Sequence, residues 1–132
     1  MKYLLDTHAF IWTATSSNKL PEKIRKIIIS PENEIYVSAI SFWEITIKSK
    51  IGKLDLDGIN PIELPDLAFQ MDIATIELSG NEAITYNKLT ENTHRDPFDR
   101  MLIWQSICRN MVLISKDNEF SKFVSDGLKL EW

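Results

Sequence analysis

One cysteine in 132 residues, Cys108, leaves this chain without an internal disulfide framework. It falls in an apolar helical pattern, so a buried, inert thiol in a reducing compartment is expected, and with it a cytoplasmic protein. Glycine is scarce as well: four residues, in neither G-x-G-x-x-G nor P-loop spacing, which removes the usual nucleotide cofactors. The two histidines, His8 and His94, lack the paired spacing of a zinc site, and no G-x-S-x-G nucleophile motif is present. No apolar run approaches the roughly 18 residues of a membrane span, and the early acid in Met1-Lys2-Tyr3-Leu4-Leu5-Asp6 is unlike a signal peptide. Excess positive charge is missing too. A formal net charge of −4 speaks against nucleic acid held by bulk electrostatics.

What is present is an ordinary globular composition, 44% hydrophobic and 26% charged, enough to bury a core in a single domain spanning residues 1–132. Short β-rich runs alternate with helical patterns, the signature of a parallel sheet covered on both faces. Five strands are expected: 2–5, 34–38, 73–77, 112–115 and 128–131. Helices are expected over 7–13, 21–29, 39–49, 62–71, 79–89 and 97–109. Ser79-x-x-Glu82 has the form of a capping box, and Asp96 before Pro97 that of an N-cap. The segment from Ala39 to Ser49 is apolar almost all round, through Ile40, Phe42, Trp43, Ile45 and Ile47, so it is expected to be deeply buried or to cover a partner.

Four acids stand where apolar segments end or begin: Asp6, Glu44, Asp99 and Asp117. Ligands of parallel α/β sheets gather outside the carboxyl ends of the strands. Asp6 and Asp117 follow strands directly, Glu44 lies just over one turn into the next helix, and Asp99 opens the helix that must start at that same edge. Each has a plain structural alternative. Asp6 and Asp117 suit helix caps, Glu44 a buried ion pair and Asp99 the first turn of a helix whose dipole favours an anion, while the nearby Asp96 is better read as a cap than as an additional ligand. Taken together, however, clustered carboxylates repel one another and must either take up protons or bind a metal ion. All-oxygen donors select hard ions, Mg²⁺ or Mn²⁺, whose chemistry suits phosphodiester hydrolysis. Thr7, Ser38, Ser41 and Ser115 are placed to orient ligands or water, and Arg100 or Lys116 to bind a phosphate. With two divalent ions bound, Lys48, Lys50, Lys53, Arg95, Arg100 and Lys116 would dominate the local field.

Leu4-Leu5-Asp6-Thr7-His8, Ser38-Ala39-Ile40-Ser41-Phe42-Trp43-Glu44-Ile45, Gly52-Lys53-Leu54, His94-Arg95-Asp96-Pro97-Phe98-Asp99-Arg100-Met101-Leu102 and Ile114-Ser115-Lys116-Asp117 together resemble the PIN-domain ribonucleases. More narrowly they resemble the VapC toxins of type II toxin–antitoxin systems. The resemblance implies a three-layer α/β/α fold around a mostly parallel sheet of about five strands, and Mg²⁺- or Mn²⁺-dependent endoribonuclease activity on structured RNA such as transfer or ribosomal RNA. It implies further a VapB-like antitoxin, a homodimer and toxin–antitoxin hetero-oligomers, with Asp6, Glu44, Asp99 and Asp117 as catalytic metal ligands. Ser115 stands where the family often has Thr and keeps the hydroxyl. Phe10, Trp12, Trp43 and Ile47 are expected to wall the antitoxin groove. Two other readings compete: a non-catalytic module whose acids receive a partner's basic side chains, and a phosphoryl-accepting receiver domain. The second needs adjacent acids at the first strand, where Asp6 is followed by Thr7-His8.

Overall fold

The computed structural model describes residues 1–132. Five strands, β1 (Lys2–Leu5), β2 (Glu34–Ser38), β3 (Ile73–Ile76), β4 (Val112–Ile114) and β5 (Lys129–Glu131), form one sheet in the order β3-β2-β1-β4-β5. Every neighbouring pair is parallel. Six α-helices connect them: α1 (Thr7–Thr15), α2 (Glu22–Ile29), α3 (Ala39–Lys50), α4 (Leu64–Gln70), α5 (Gly80–Thr85) and α6 (Pro97–Cys108). A 3₁₀ segment, Asn118–Asp126, leads from β4 to β5 and closes at Gly127, whose φ of +106° suits glycine.

The period-2 geometry of β1 explains the layering. Tyr3 and Leu5 enter one core cluster with Phe10, Ile24, Leu64 and Ile73, whereas Leu4 enters the other with Leu102, Ile103, Phe120 and Phe123. Helices α1, α2 and α4 thus cover one face, and α6 with the 3₁₀ segment covers the opposite one. Helix α3 contributes Ile45 to the first cluster and Ile40 to the second, so it lies across the end of the sheet.

The chain steps from β1 to β2 and β3 on one side, then returns to place β4 and β5 on the other. That reversal puts the topological switch point between the carboxyl ends of β1 and β4. The edge is firmly built there, because the Asp6 N–H donates to the Ile114 carbonyl at 3.0 Å and prolongs the ladder past β1.

Two expectations about packing are corrected. Cys108 is exposed, because it sits in the last turn of α6 on the side away from the sheet. Phe10 is fully buried, so it belongs to the core and not to a groove wall. Helix α3 is buried through Ile40, Ser41, Glu44 and Ile45, whereas Trp43, Ile47 and Ile51 are 58%, 39% and 60% exposed, leaving on the surface the apolar face that a partner could cover.

Candidate metal centre

Asp6 is the N-cap of α1, its Oδ1 accepting the Ala9 N–H at 2.8 Å. It is also buried, and burial pushes its carboxyl up to about 6. Hydrogen bonds from Ser115 and the Ala9 N–H pull the other way, and repulsion from Glu44 and Asp117 adds to the rise. The cap reading and the ligand reading are therefore compatible in one side chain. Ser115, itself buried, also accepts the Asp117 N–H at 3.1 Å, tying the ends of β1 and β4 together.

Glu44 is 3% exposed, and both its oxygens are engaged. Thr7 Oγ1 lies 2.6 Å from Oε1 and 3.0 Å from Ser41 Oγ; a hydroxyl has one proton, so the shorter contact with the carboxylate takes it and Ser41 supplies its own. Oε2 receives the Lys48 ammonium from one helical turn on.

Asp99 falls in the first turn of α6, which Asp96 caps by accepting the Asp99 N–H at 3.0 Å. Its carboxyl is also pushed up to about 6. Burial is the main cause, opposed by the hydrogen bond with His94 and reinforced by Asp96 and Glu44. Asp6 and Asp99 thus both feel Glu44, which makes Glu44 the hub of the acidic edge.

His94 is a participant that its spacing did not reveal. Its Nε2 lies 2.9 Å from Asp99 Oδ2, and its ring packs edge-on against Phe120 and Phe123 at centroid distances of 5.6 and 5.9 Å. Potential ligand atoms of His94, Asp99 and Asp117 all lie within 4.8 Å of one another. The signal available was its place five residues before Asp99, across the turn that Asp96 caps. Asp117 itself is exposed at the rim, capping the 3₁₀ segment through the Glu119 N–H at 2.9 Å.

Two other expected participants lie apart. Arg100 is buried and gives its guanidinium to the Tyr86 hydroxyl at 3.1 Å and to the carbonyls of Glu91 and His94, the latter at 3.0 Å. Anchoring the 91–94 loop replaces the expected phosphate contact. Ser38 donates to Gln105 Oε1 at 2.6 Å and caps α3 by accepting the Ile40 N–H at 3.0 Å, so its hydroxyl is engaged with α6 and the cap. Lys116 stays exposed, with its Nζ 5.5 Å from the Trp12 ring centroid.

His94, Asp99 and Asp117 are the residues whose ligand atoms meet, while Asp6 and Glu44 stand outside that group and within electrostatic reach of it; carboxylates of this kind, two of them destabilised as anions by burial and mutual repulsion, suit a hard divalent cation. A hollow of about 1020 Å³ lies at the opposite edge of the sheet among Leu20, Arg25, Ile28, Asn33 and Met71, without clustered acids. Chemistry, not size, marks the site.

The PIN domain family model matches residues 3–124. The chain belongs to the PIN-domain family. No curated protein matches it in sequence. Among solved structures, this PIN domain is similar in fold to VapBC2 from Rickettsia felis bound to a fragment of promoter DNA, at 18% identity and a TM-score of 0.74, covering 99% of this chain and 98% of that one. It is similar likewise to VapBC-1 from nontypeable Haemophilus influenzae, at 19% identity and TM-score 0.70, and to DNA-bound VapBC from Salmonella typhimurium, at 19% and 0.69. Each of these covers 99% of this chain and 97% of the other. No helix of the PIN domain is long and apolar enough to cross a membrane.

Proposed function

We propose that this chain is a single PIN domain acting as a divalent-metal-dependent endoribonuclease, the toxin of a VapBC-type pair. The observation that carries the reading is the convergence of Asp6, Glu44, Asp99 and Asp117 on the switch-point edge. Only Glu44 among them has a lysine or arginine partner. A module built merely to receive basic side chains has less reason to hold Asp6 and Asp99 as strained anions.

Asp6, Glu44 and Asp99, with His94 behind Asp99 and Asp117 at the rim, would hold Mg²⁺ or Mn²⁺. When bound, the cation supplies Lewis-acid polarisation of the phosphate and eases deprotonation of water. The protein's own groups orient the reaction. Thr7 and Ser41 fix the Glu44 carboxylate, and Ser115 fixes Asp6 against the end of β4. His94 steers Asp99. Water attacks phosphorus, the bond to the leaving oxygen breaks, and that oxygen takes up a proton. Structured RNA, of the transfer or ribosomal kind, is the proposed substrate class, since loop shape and not carboxylate chemistry selects among RNAs.

Beside the pocket, Trp43, Ile47 and Ile51 form an exposed apolar face suited to a VapB-like antitoxin and to the hetero-oligomers such pairs form, built on a homodimer in the cytoplasm. Trp43 meets Phe98 edge-on at 5.2 Å, so the face continues to the helix bearing Asp99.

Purified protein is expected to cut RNA with Mg²⁺ or Mn²⁺ and to lose that activity with EDTA or in Asp99→Asn. Cutting that survives both treatments refutes the reading.

A further inference from the structure

Lys48 is the one lysine or arginine paired with a pocket acid, and the fold aims it there. It follows Glu44 by four residues on α3, so helix geometry stacks the two side chains. Its Nζ bonds Glu44 Oε2 and stands 5.9 Å from the Phe98 ring centroid, which keeps the ammonium on the pocket side. The charges of Asp96 and Asp99 bear on it as well as that of Glu44. Glu44 thus holds the ammonium directly, while Asp96 and Asp99 at the start of α6 add their field to it.

The other Glu44 oxygen is already held by Thr7, which is fixed in turn by Ser41. Thr7 takes one lone pair of Oε1 and sets the orientation of the carboxylate, so Oε2, where Lys48 stands, is the oxygen with more lone-pair capacity to offer a divalent ion. An ammonium and a divalent ion on one carboxylate oxygen repel strongly. Of the two, Lys48 is able to leave: its side chain is 29% exposed, against 4% for Glu44, and its unbranched stem turns freely.

We propose that Lys48 is a tethered counter-ion of the acidic pocket, competing with the divalent cation for Glu44 and swinging outward when that ion binds. This rests on the metal-dependent reading above and adds regulation to it: the pocket's affinity for metal is held down by a cation of its own. Lys48 is a positioning residue, since it acts through Glu44 and not on the reacting atoms.

The test is calorimetric titration of Mn²⁺ into wild type, Lys48→Gln and Lys48→Arg, together with melting curves in EDTA. Lys48→Gln is expected to bind Mn²⁺ at least about fivefold more tightly than wild type, and Lys48→Arg, which keeps the charge, no more tightly than wild type. In EDTA, Lys48→Gln is expected to melt lower, because Glu44, Asp96 and Asp99 then repel without relief. A second measurement needs no variant: the ¹⁵N signal of the Lys48 ammonium in wild type should lose its protection from solvent exchange as diamagnetic Mg²⁺ is added. Equal or weaker Mn²⁺ binding by Lys48→Gln, or an ammonium signal indifferent to Mg²⁺, overturns the competition. Failure of all three proteins to bind Mn²⁺ overturns the metal-dependent reading itself, and the two failures are thereby distinguished.

Discussion

Asp6 closes α1 with one carboxylate oxygen while its burial and its neighbours oppose its charge. Asparagine caps helices as well as aspartate does, so Asp6→Asn should leave stability within about 1 kcal/mol of wild type, at or above it in EDTA, while RNA cutting is lost. Asp6→Ala should lose the cutting and, in addition, about 0.5–2 kcal/mol of cap energy, read by chemical denaturation. Thr7→Val removes the hydroxyl on Glu44 and is expected to weaken Mn²⁺ binding by about 10–100-fold in calorimetry. The pH dependence has a definite sign. Both Asp6 and Asp99 are raised from 3.8 to about 6, so their contribution to stability is fully present below pH 3.8 and is lost as pH rises through about 6. In EDTA the melting temperature should therefore rise between pH 7.5 and pH 5. With Mn²⁺ the added stability should instead fade over that interval as protons compete for the carboxylates. These acids were legible before any coordinates because a strand end in a parallel sheet has a fixed address. Arg100, Ser38 and His94 were not, since their roles depend on helix rotation and on the path of the 91–96 loop.

At the scale of elements, the strands agree with their sequence ranges to within a residue because each is a short β-rich run stopped by a cap, a turn or an acid. The apolar girth of α3 posed a choice between burial and partnership that periodicity alone left open; an exposed Trp43 beside a buried Glu44 decides which side meets the surface. The Ser79–Glu82 capping box is present, yet it serves more than α5. Glu82 is 4% exposed and joins Arg109 at 2.7 Å and Gln105 at 3.1 Å, while Gln105 reaches Ser38 at the start of α3. Burial opposes the Glu82 charge, but hydrogen bonds from Arg109, the Ser79 N–H and Gln105 outweigh it and hold the carboxyl at about 2. Arg109→Ala should cost about 3 kcal/mol, measured by urea denaturation, because the Glu82 charge is left buried and unpaired. That contribution is present above pH 4.5 and is lost as pH falls through about 2, so the loss should be the same at pH 7.5 and pH 5.5. Gly127 ends the 3₁₀ segment at φ +106°, with only Ile107 within 4 Å of an added Cβ, so Gly127→Ala should cost about 1–2 kcal/mol through backbone strain alone.

For the whole molecule, the sheet order β3-β2-β1-β4-β5 carries the segments that bear four scattered acids to one edge. The alternation of strands and helices foretold the layers, and the switch point between β1 and β4 followed from where the chain reverses direction. The depth of each side chain lay beyond the sequence: Asp117 exposed at the rim, Asp99 and His94 half-buried, Asp6 and Glu44 deep, and Lys48 beside Glu44. The central claim is that this edge is one divalent-cation site. Anomalous diffraction from crystals soaked in Mn²⁺ tests it most directly. A peak bounded by Asp6, Glu44 and Asp99, with oxygen contacts of about 2.0–2.4 Å, is the predicted result. Mn²⁺ bound only elsewhere on the molecule, with those three carboxylates bare, would contradict it.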